Sequence, residues 1–126
     1  MILGIGIDLC AVARMEKSLQ KPAFAARVFA PQEQEFWQSL SAKHRAESAA
    51  AAFAAKEAFL KAAGTGLREP FSLCEIEAVR QENGAPAYRF SGKTAEWVQA
   101  RSLTAWLSLS HEGGMALAFC TLETET

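Results

Sequence analysis

The sequence predicts an α+β fold in which an antiparallel sheet packs against one long central helix. Three observations carry this expectation. Glu47 to Ala63 is alanine-rich and contains no proline or glycine, and Gly64-Thr65-Gly66 follows it. Alanine is the best helix former, and glycine commonly closes a helix. Met1 to Leu9 and Leu103 to Leu109 alternate as strands do, and Asn83-Gly84 marks a hairpin between two further short strands. A chain of 126 residues is expected to form one domain with a real core.

From Gly4 onward the first strand places Ile5, Ile7 and Leu9 on one side and Gly4, Gly6 and Asp8 on the other. Two glycines beside a carboxylate leave room for a ligand or for another backbone. GIGID lacks the third glycine of a dinucleotide fingerprint, and no helix follows the glycines directly. Asp8 stands where the strand is expected to give way to a helix, and taken alone it reads as an N-cap. Val12 to Leu19 reads as that helix. Arg14, Lys17, Lys21 and Arg27 lie in or just after it, against the single acid Glu16. Pro31 opens another helix, with Glu33 in its first turn and an apolar stripe of Phe36, Trp37 and Leu40. Ser41 to Arg45 reads as a polar break before the long helix, with His44 exposed. Gly64 to Ser72 is a loop, a plain connection or a place where backbone amides meet phosphate. Leu73 to Val79 and Ala87 to Phe90 are the hairpin strands, and Ser91 starts a short helix reaching Ala100. Ser110 to Gly114 reads as a turn, and Met115 to Leu122 as the last strand.

The candidate chemistry lies on the long helix. Phe53, Glu57 and Lys61 are spaced four apart and share a face, with Leu60 close by. By spacing alone, Glu57 and Lys61 form an ordinary surface pair worth a few tenths of a kcal/mol. Set beside Asp8, they suggest more. Two carboxylates from separate elements, with a lysine one turn on, are what a magnesium–phosphate site needs. Mg2+ takes few protein oxygens and fills its remaining positions with water and substrate phosphate. Lys61 can meet phosphate as a point charge.

Composition narrows the function classes. A net charge of −1 argues against a general nucleic-acid binder. No apolar run is long enough to span a membrane, and no signal peptide is expected. Cys10, Cys74 and Cys120 are odd in number and widely spaced, suggesting neither a disulfide framework nor a zinc site; a reduced, cytoplasmic setting is expected. Ser110-His111-Glu112 is not a catalytic triad, which is a spatial arrangement, and no nucleophile elbow is present.

GIGIDLCAVARM, FAAKEAFLKAAGTG and LSLSHEGGMALA occur in that order. Together they resemble the holo-acyl-carrier-protein synthases, the small phosphopantetheinyl transferases, over nearly the whole chain. The middle motif is the specific one. The resemblance implies a phosphopantetheinyl transferase-like fold and transfer of the 4′-phosphopantetheine arm of coenzyme A to a serine of apo-acyl carrier protein, with release of 3′,5′-ADP. It implies Mg2+ on Asp8 and Glu57, and catalytic roles for Glu57 and Lys61. Coenzyme A contacts would come from Lys61, Gly64, Gly66 and His111. Arg14, Lys17 and Lys21 would dock the acidic carrier protein. A homotrimer with sites shared between subunits is implied as well, because one small lobe cannot close over so long a ligand. One departure stands out: members often carry a basic residue immediately before the phenylalanine, where this chain has Ala52. The alternatives are a non-catalytic coenzyme A- or nucleotide-binding module and a magnesium-dependent phosphohydrolase.

Overall fold

The computed structural model describes residues 1–125. In chain order the elements are β1 (Ile2–Ala11), α1 (Val12–Ser18), α2 (Pro22–Val28), α3 (Pro31–Gln38), α4 (Ala42–Ala63), β2 (Ile76–Arg80), β3 (Pro86–Phe90), α5 (Gly92–Ala100), β4 (Leu103–Glu112) and β5 (Met115–Thr124). The α+β expectation is borne out, and the sheet is in two pieces. One is a three-stranded antiparallel sheet in the order β1-β5-β4; the other is the β2–β3 hairpin. The chain ends meet on the larger sheet: the Met1 amino group donates to the Thr124 carbonyl, and the Thr124 amide donates to Met1.

Helix α4 is the centre of the packing. Ser41 caps it by accepting from the His44 amide, so the residues read as a polar break form its first turn. His44 is exposed, as expected. Gly64, with φ +82°, closes the helix in the left-handed conformation. Along its length α4 buries Ala46, Ala49, Ala50, Ala54, Ala55 and Ala58. Small side chains let it lie close to the sheet, and β1 answers with glycine. A Cβ at Gly4 would stand 2.0 Å from the Ala62 carbonyl oxygen, and one at Gly6 would stand 2.0 Å from that of Ala58. The space that Gly4 and Gly6 leave is therefore filled by helix backbone.

This seam decides which side of β1 faces inward. Gly4, Gly6, Asp8 and Cys10 turn toward α4, and the apolar set turns out: Ile5 is 60% and Ile7 53% exposed. Phe119 of β5 and Trp106 of β4 share that outer face, and Trp106 is 58% exposed. Trp106 thus lies on the side of the sheet away from α4, where its indole N–H meets Glu123.

The β2–β3 hairpin and α5 are held to α4 by aromatic contacts. The Phe59 ring meets Phe71 at 5.6 Å, Phe90 at 4.9 Å and Trp97 at 6.4 Å. Such pairs contribute about 0.5–1.5 kcal/mol each beyond area burial. Asn83-Gly84 makes the expected turn, with the Asn83 side chain accepting from the Ala85 amide.

Several boundaries move. β1 runs two residues past Leu9, because Cys10 and Ala11 pair with Ala116 and Met115. The N-cap of α1 is Ala11, so Asp8 is an interior strand residue and not a cap. Lys21 is the N-cap of a separate helix, α2, opened by Pro22, and Arg27 lies in its last turn. Leu73–Glu75 is a 3-10 turn, and β2 begins at Ile76. β4 continues through Ser110, His111 and Glu112, leaving Gly113 and Gly114, both with positive φ, as the turn.

Candidate active site

Asp8 and Lys61 meet where β1 passes under the last turns of α4. The Lys61 ammonium donates to Asp8 Oδ1 at 3.0 Å and to the Ile7 carbonyl at 2.9 Å. Lys61 therefore bridges helix and strand, and its ion-pair partner is Asp8 rather than Glu57, as the spacing alone suggested. Glu57 lies one helical turn earlier and is half-buried. Its carboxyl is held above the usual carboxylate range, first by burial and then by the negative charge of Asp8, with Lys61 opposing. The two carboxylates thus occupy one site, and their mutual repulsion is incompletely offset by a lysine that is itself half exposed.

Such a pair suits a hard cation. Both donors are carboxylate oxygens, and a dication would relieve the repulsion. Among the described residues, no group of three or more His, Cys, Asp or Glu gathers at one point. Protein donors at this site would thus be few, which matches the habit of magnesium of keeping water and phosphate oxygens in its shell.

The loop that leaves the Lys61 turn carries Gly64 and Gly66, with φ +82° and +67°. A Cβ at either would meet nothing within 4 Å, so both face open space. Helix α1 packs beside α4 through Met15 and turns Arg14 and Lys17 outward; Lys21 follows, also exposed. None of the three has an ion-pair partner among the described residues. Burial pushes the Cys10 thiol up, and the charges of Arg14 and Asp8 act on it in opposite directions.

His111 is elsewhere. It lines a small hollow of about 160 Å³ with Val12, Glu47 and Ala51. Ala51 is six residues from Glu57, roughly 9 Å along the helix axis. The structure therefore brings Asp8, Glu57 and Lys61 together and leaves His111 outside that group.

Lys56, beside Glu57 in the sequence, has a role the sequence did not reveal. Its side chain is fully buried and donates to Glu33 Oε1 at 2.8 Å and to the Leu73 carbonyl at 3.0 Å, and it also reaches the Ile76 carbonyl. Burial pulls its pKa down and Glu33 opposes this. Glu33 also accepts from the Ala30 amide, at the start of α3. Lys56 thereby ties α4 to α3 and to the entry of β2. No local spacing signals a pair 23 residues apart.

Comparison with known proteins shows the family. The sequence model of the 4′-phosphopantetheinyl transferase superfamily matches residues 4–120, and the chain belongs to that family. Within it, the relatives matching along its whole length are holo-[acyl-carrier-protein] synthases. Those of Geobacter sp. (strain M21) and Trichlorobacter lovleyi are each 43% identical over 98% of this chain, covering 99% and 98% of their own lengths. The crystal structure of the Neisseria meningitidis holo-[acyl-carrier-protein] synthase superposes with a TM-score of 0.87 at 32% identity, covering 98% of this chain and 100% of that one. The Bacillus anthracis enzyme, solved in complex with CoA (3′,5′-ADP), gives 0.85 at 34% identity over 99% of both chains.

Proposed function

We propose that this chain transfers the 4′-phosphopantetheine group of coenzyme A to a serine of apo-acyl carrier protein, with Mg2+ held by Asp8 and Glu57. The observation that carries the metal assignment is the pair of carboxylates from β1 and α4 at one site, with the Glu57 carboxyl raised by burial and by Asp8. Family membership and the full-length likeness to holo-[acyl-carrier-protein] synthases support the reaction. Mg2+ at this site would supply Lewis-acid stabilisation of charge on the pyrophosphate. Lys61, anchored on Asp8 and the Ile7 carbonyl, keeps an ammonium at the mouth of the site, where it meets phosphate as a point charge. The serine hydroxyl attacks the β-phosphate, the bond to the bridging oxygen breaks, and 3′,5′-ADP leaves with that oxygen. The serine proton passes to Glu57 or to a water beside it. Open space around Gly64 and Gly66 suits close approach of the ligand to the backbone. Arg14, Lys17 and Lys21, which have no ion-pair partner among the described residues, offer a positive surface to an acidic carrier.

The same reading includes a homotrimer with shared sites. Two features favour it. The outer sheet face presents Ile5, Ile7, Leu9, Trp106 and Phe119 to solvent, a contiguous apolar patch of the kind that marks an interface. His111 stands apart from Asp8, Glu57 and Lys61, as it would if it served the site of a neighbouring copy. An interface joining different parts of neighbouring copies closes into a ring when the rotation between copies closes, which for a trimer is a third of a turn.

Mass spectrometry of apo-acyl carrier protein incubated with the enzyme, coenzyme A and magnesium tests the reaction. A phosphopantetheine mass added to the carrier is expected, and it should vanish with Asp8→Ala or Glu57→Ala. Hydrolysis of coenzyme A without carrier modification would favour a phosphohydrolase instead; binding without turnover would favour a non-catalytic module. Sedimentation tests assembly: a fully active monomer would end the shared-site reading.

A further inference from the structure

One of the two carboxylates assigned to the metal is already claimed by a cation of the chain itself. Lys61 stands in the last turn of α4, and its ammonium donates to Asp8 Oδ1 at 3.0 Å and to the Ile7 carbonyl at 2.9 Å. Glu57, one turn back, forms no ion pair among the described residues. The Lys61 side chain is 55% exposed and that of Asp8 17%. The carboxylate is thus largely enclosed, while the ammonium reaches it from the more open side.

Charge balance makes this arrangement replaceable. Two carboxylates and one ammonium leave a single negative charge. Adding a dication with the ammonium still on Asp8 reverses the sign and sets two cations against one carboxylate. Exchanging the ammonium for the dication cancels the charge instead. Like charges in close, partly buried quarters repel more strongly than they do in bulk water. Lysine is suited to leaving. Its ammonium is a compact charge on a flexible stem, and an exposed head group regains water when a contact is lost. Exposed ion pairs are also weak. The Ile7 carbonyl remains to hold the ammonium nearby, as does the negative end of α4, where cations are favoured.

We propose that Lys61 and the metal compete for Asp8, so that binding of magnesium frees the Lys61 ammonium. The inference rests on the functional reading above and deepens it by coupling two events at one site. While Asp8 holds Lys61, the ammonium neutralises a charge within the protein. Once a dication takes over that carboxylate, the same ammonium has a donor free for an incoming phosphate. Metal on Asp8 therefore favours phosphate on Lys61, and by linkage phosphate on Lys61 favours metal on Asp8 to the same extent. Lys61 is both a competitor of the metal and the point through which the metal and the phosphate assist each other.

Calorimetry with magnesium chloride alone, on the full chain without coenzyme A, reads the competition. Lys61→Met should bind Mg2+ about fivefold more tightly than the wild type, the weight of one partly exposed ion pair. Asp8→Asn should lose the binding. Removing a positive charge would strengthen binding even without displacement, so a second measurement separates the two. The wild-type protein crystallised with Mg2+ should hold the metal on Asp8, with the Lys61 ammonium beyond hydrogen-bond reach of that carboxylate and still on the Ile7 carbonyl. That measurement also carries the test if Lys61→Met fails to fold. Magnesium on Asp8 with the Lys61 bond intact overturns the proposal, as does unchanged affinity in a folded Lys61→Met; either result leaves the metal assignment standing. Lack of Mg2+ binding by both the wild type and Lys61→Met defeats the metal assignment itself, and the competition falls with it.

Discussion

Replacing Lys56 with methionine should destabilise the protein by about 3 kcal/mol, at the low end of the 3–5 kcal/mol typical when one partner of a buried ion pair is removed. The wild-type ammonium satisfies Glu33 and two backbone carbonyls, those of Leu73 and Ile76, in a site closed to solvent. Methionine has similar length, so the main loss is electrostatic. A buried carboxylate is left with the Ala30 amide at 2.9 Å and the Ala78 amide at 3.5 Å as donors, which keeps the cost near the bottom of the range. Chemical denaturation at fixed protein concentration is the assay, since assembly would couple stability to concentration. For a chain of this size the melting temperature should fall by about 12 °C. Adding Glu33→Gln should recover a substantial part of the loss, because the stranded charge is then gone while the contact to Ala30 can remain. A loss below about 1 kcal/mol in Lys56→Met, or a double variant as unstable as the sum of the singles, would refute the argument.

Three further outcomes follow from the seam and the site. Gly6→Ala should cost more than about 3 kcal/mol or abolish folding, because the added methyl would stand 2.0 Å from a backbone oxygen that cannot rotate away; thermal melts of Gly6→Ala against an exposed control such as Ala13→Gly check this. Glu57→Gln should stabilise the metal-free protein near neutral pH while removing any magnesium-dependent rise in melting temperature. The sign follows from the raised carboxyl: its contribution is present below the ordinary carboxylate pKa and is lost as pH rises through the folded value, so removing the charge helps most above it. Arg14→Glu should raise KM for the carrier protein more than for coenzyme A, and the gap should narrow as salt increases; equal effects on both substrates would reject a docking role.

Local periodicity made much of this fold legible. The alternation of β1 and β4, the alanine run of α4 and the Asn83-Gly84 turn are short-range patterns, and each element forms where its pattern lies, with ends that extend by two to five residues in β1, β4 and α4. The errors arise where distant residues decide. Asp8 reads as a cap until β5 is present to pair with Cys10 and Ala11. Alternation separates the two faces of β1 but does not say which is buried. The usual expectation puts isoleucine inward, and the demand of α4 for backbone contact reverses it. Helix α2 is seven residues long, with Pro22 as its main local signal, and the basic residues at its cap and in its last turn merge in the sequence with those of α1. At the site, the joining of Asp8 with Glu57 and Lys61 was suggested by residue type and motif order. The Lys56–Glu33 pair depends on elements that meet only in three dimensions.

The glycine–alanine seam also constrains how this site can evolve. Asp8 and Glu57 sit on two main chains in direct contact, so no intervening side chain exists whose enlargement or trimming would change their spacing by small steps. Substitutions along the seam either leave the carboxylates in place or push the helix off the strand. Adaptation to a different substrate would therefore act away from this seam, while the spacing of the carboxylates is inherited as a single fixed setting.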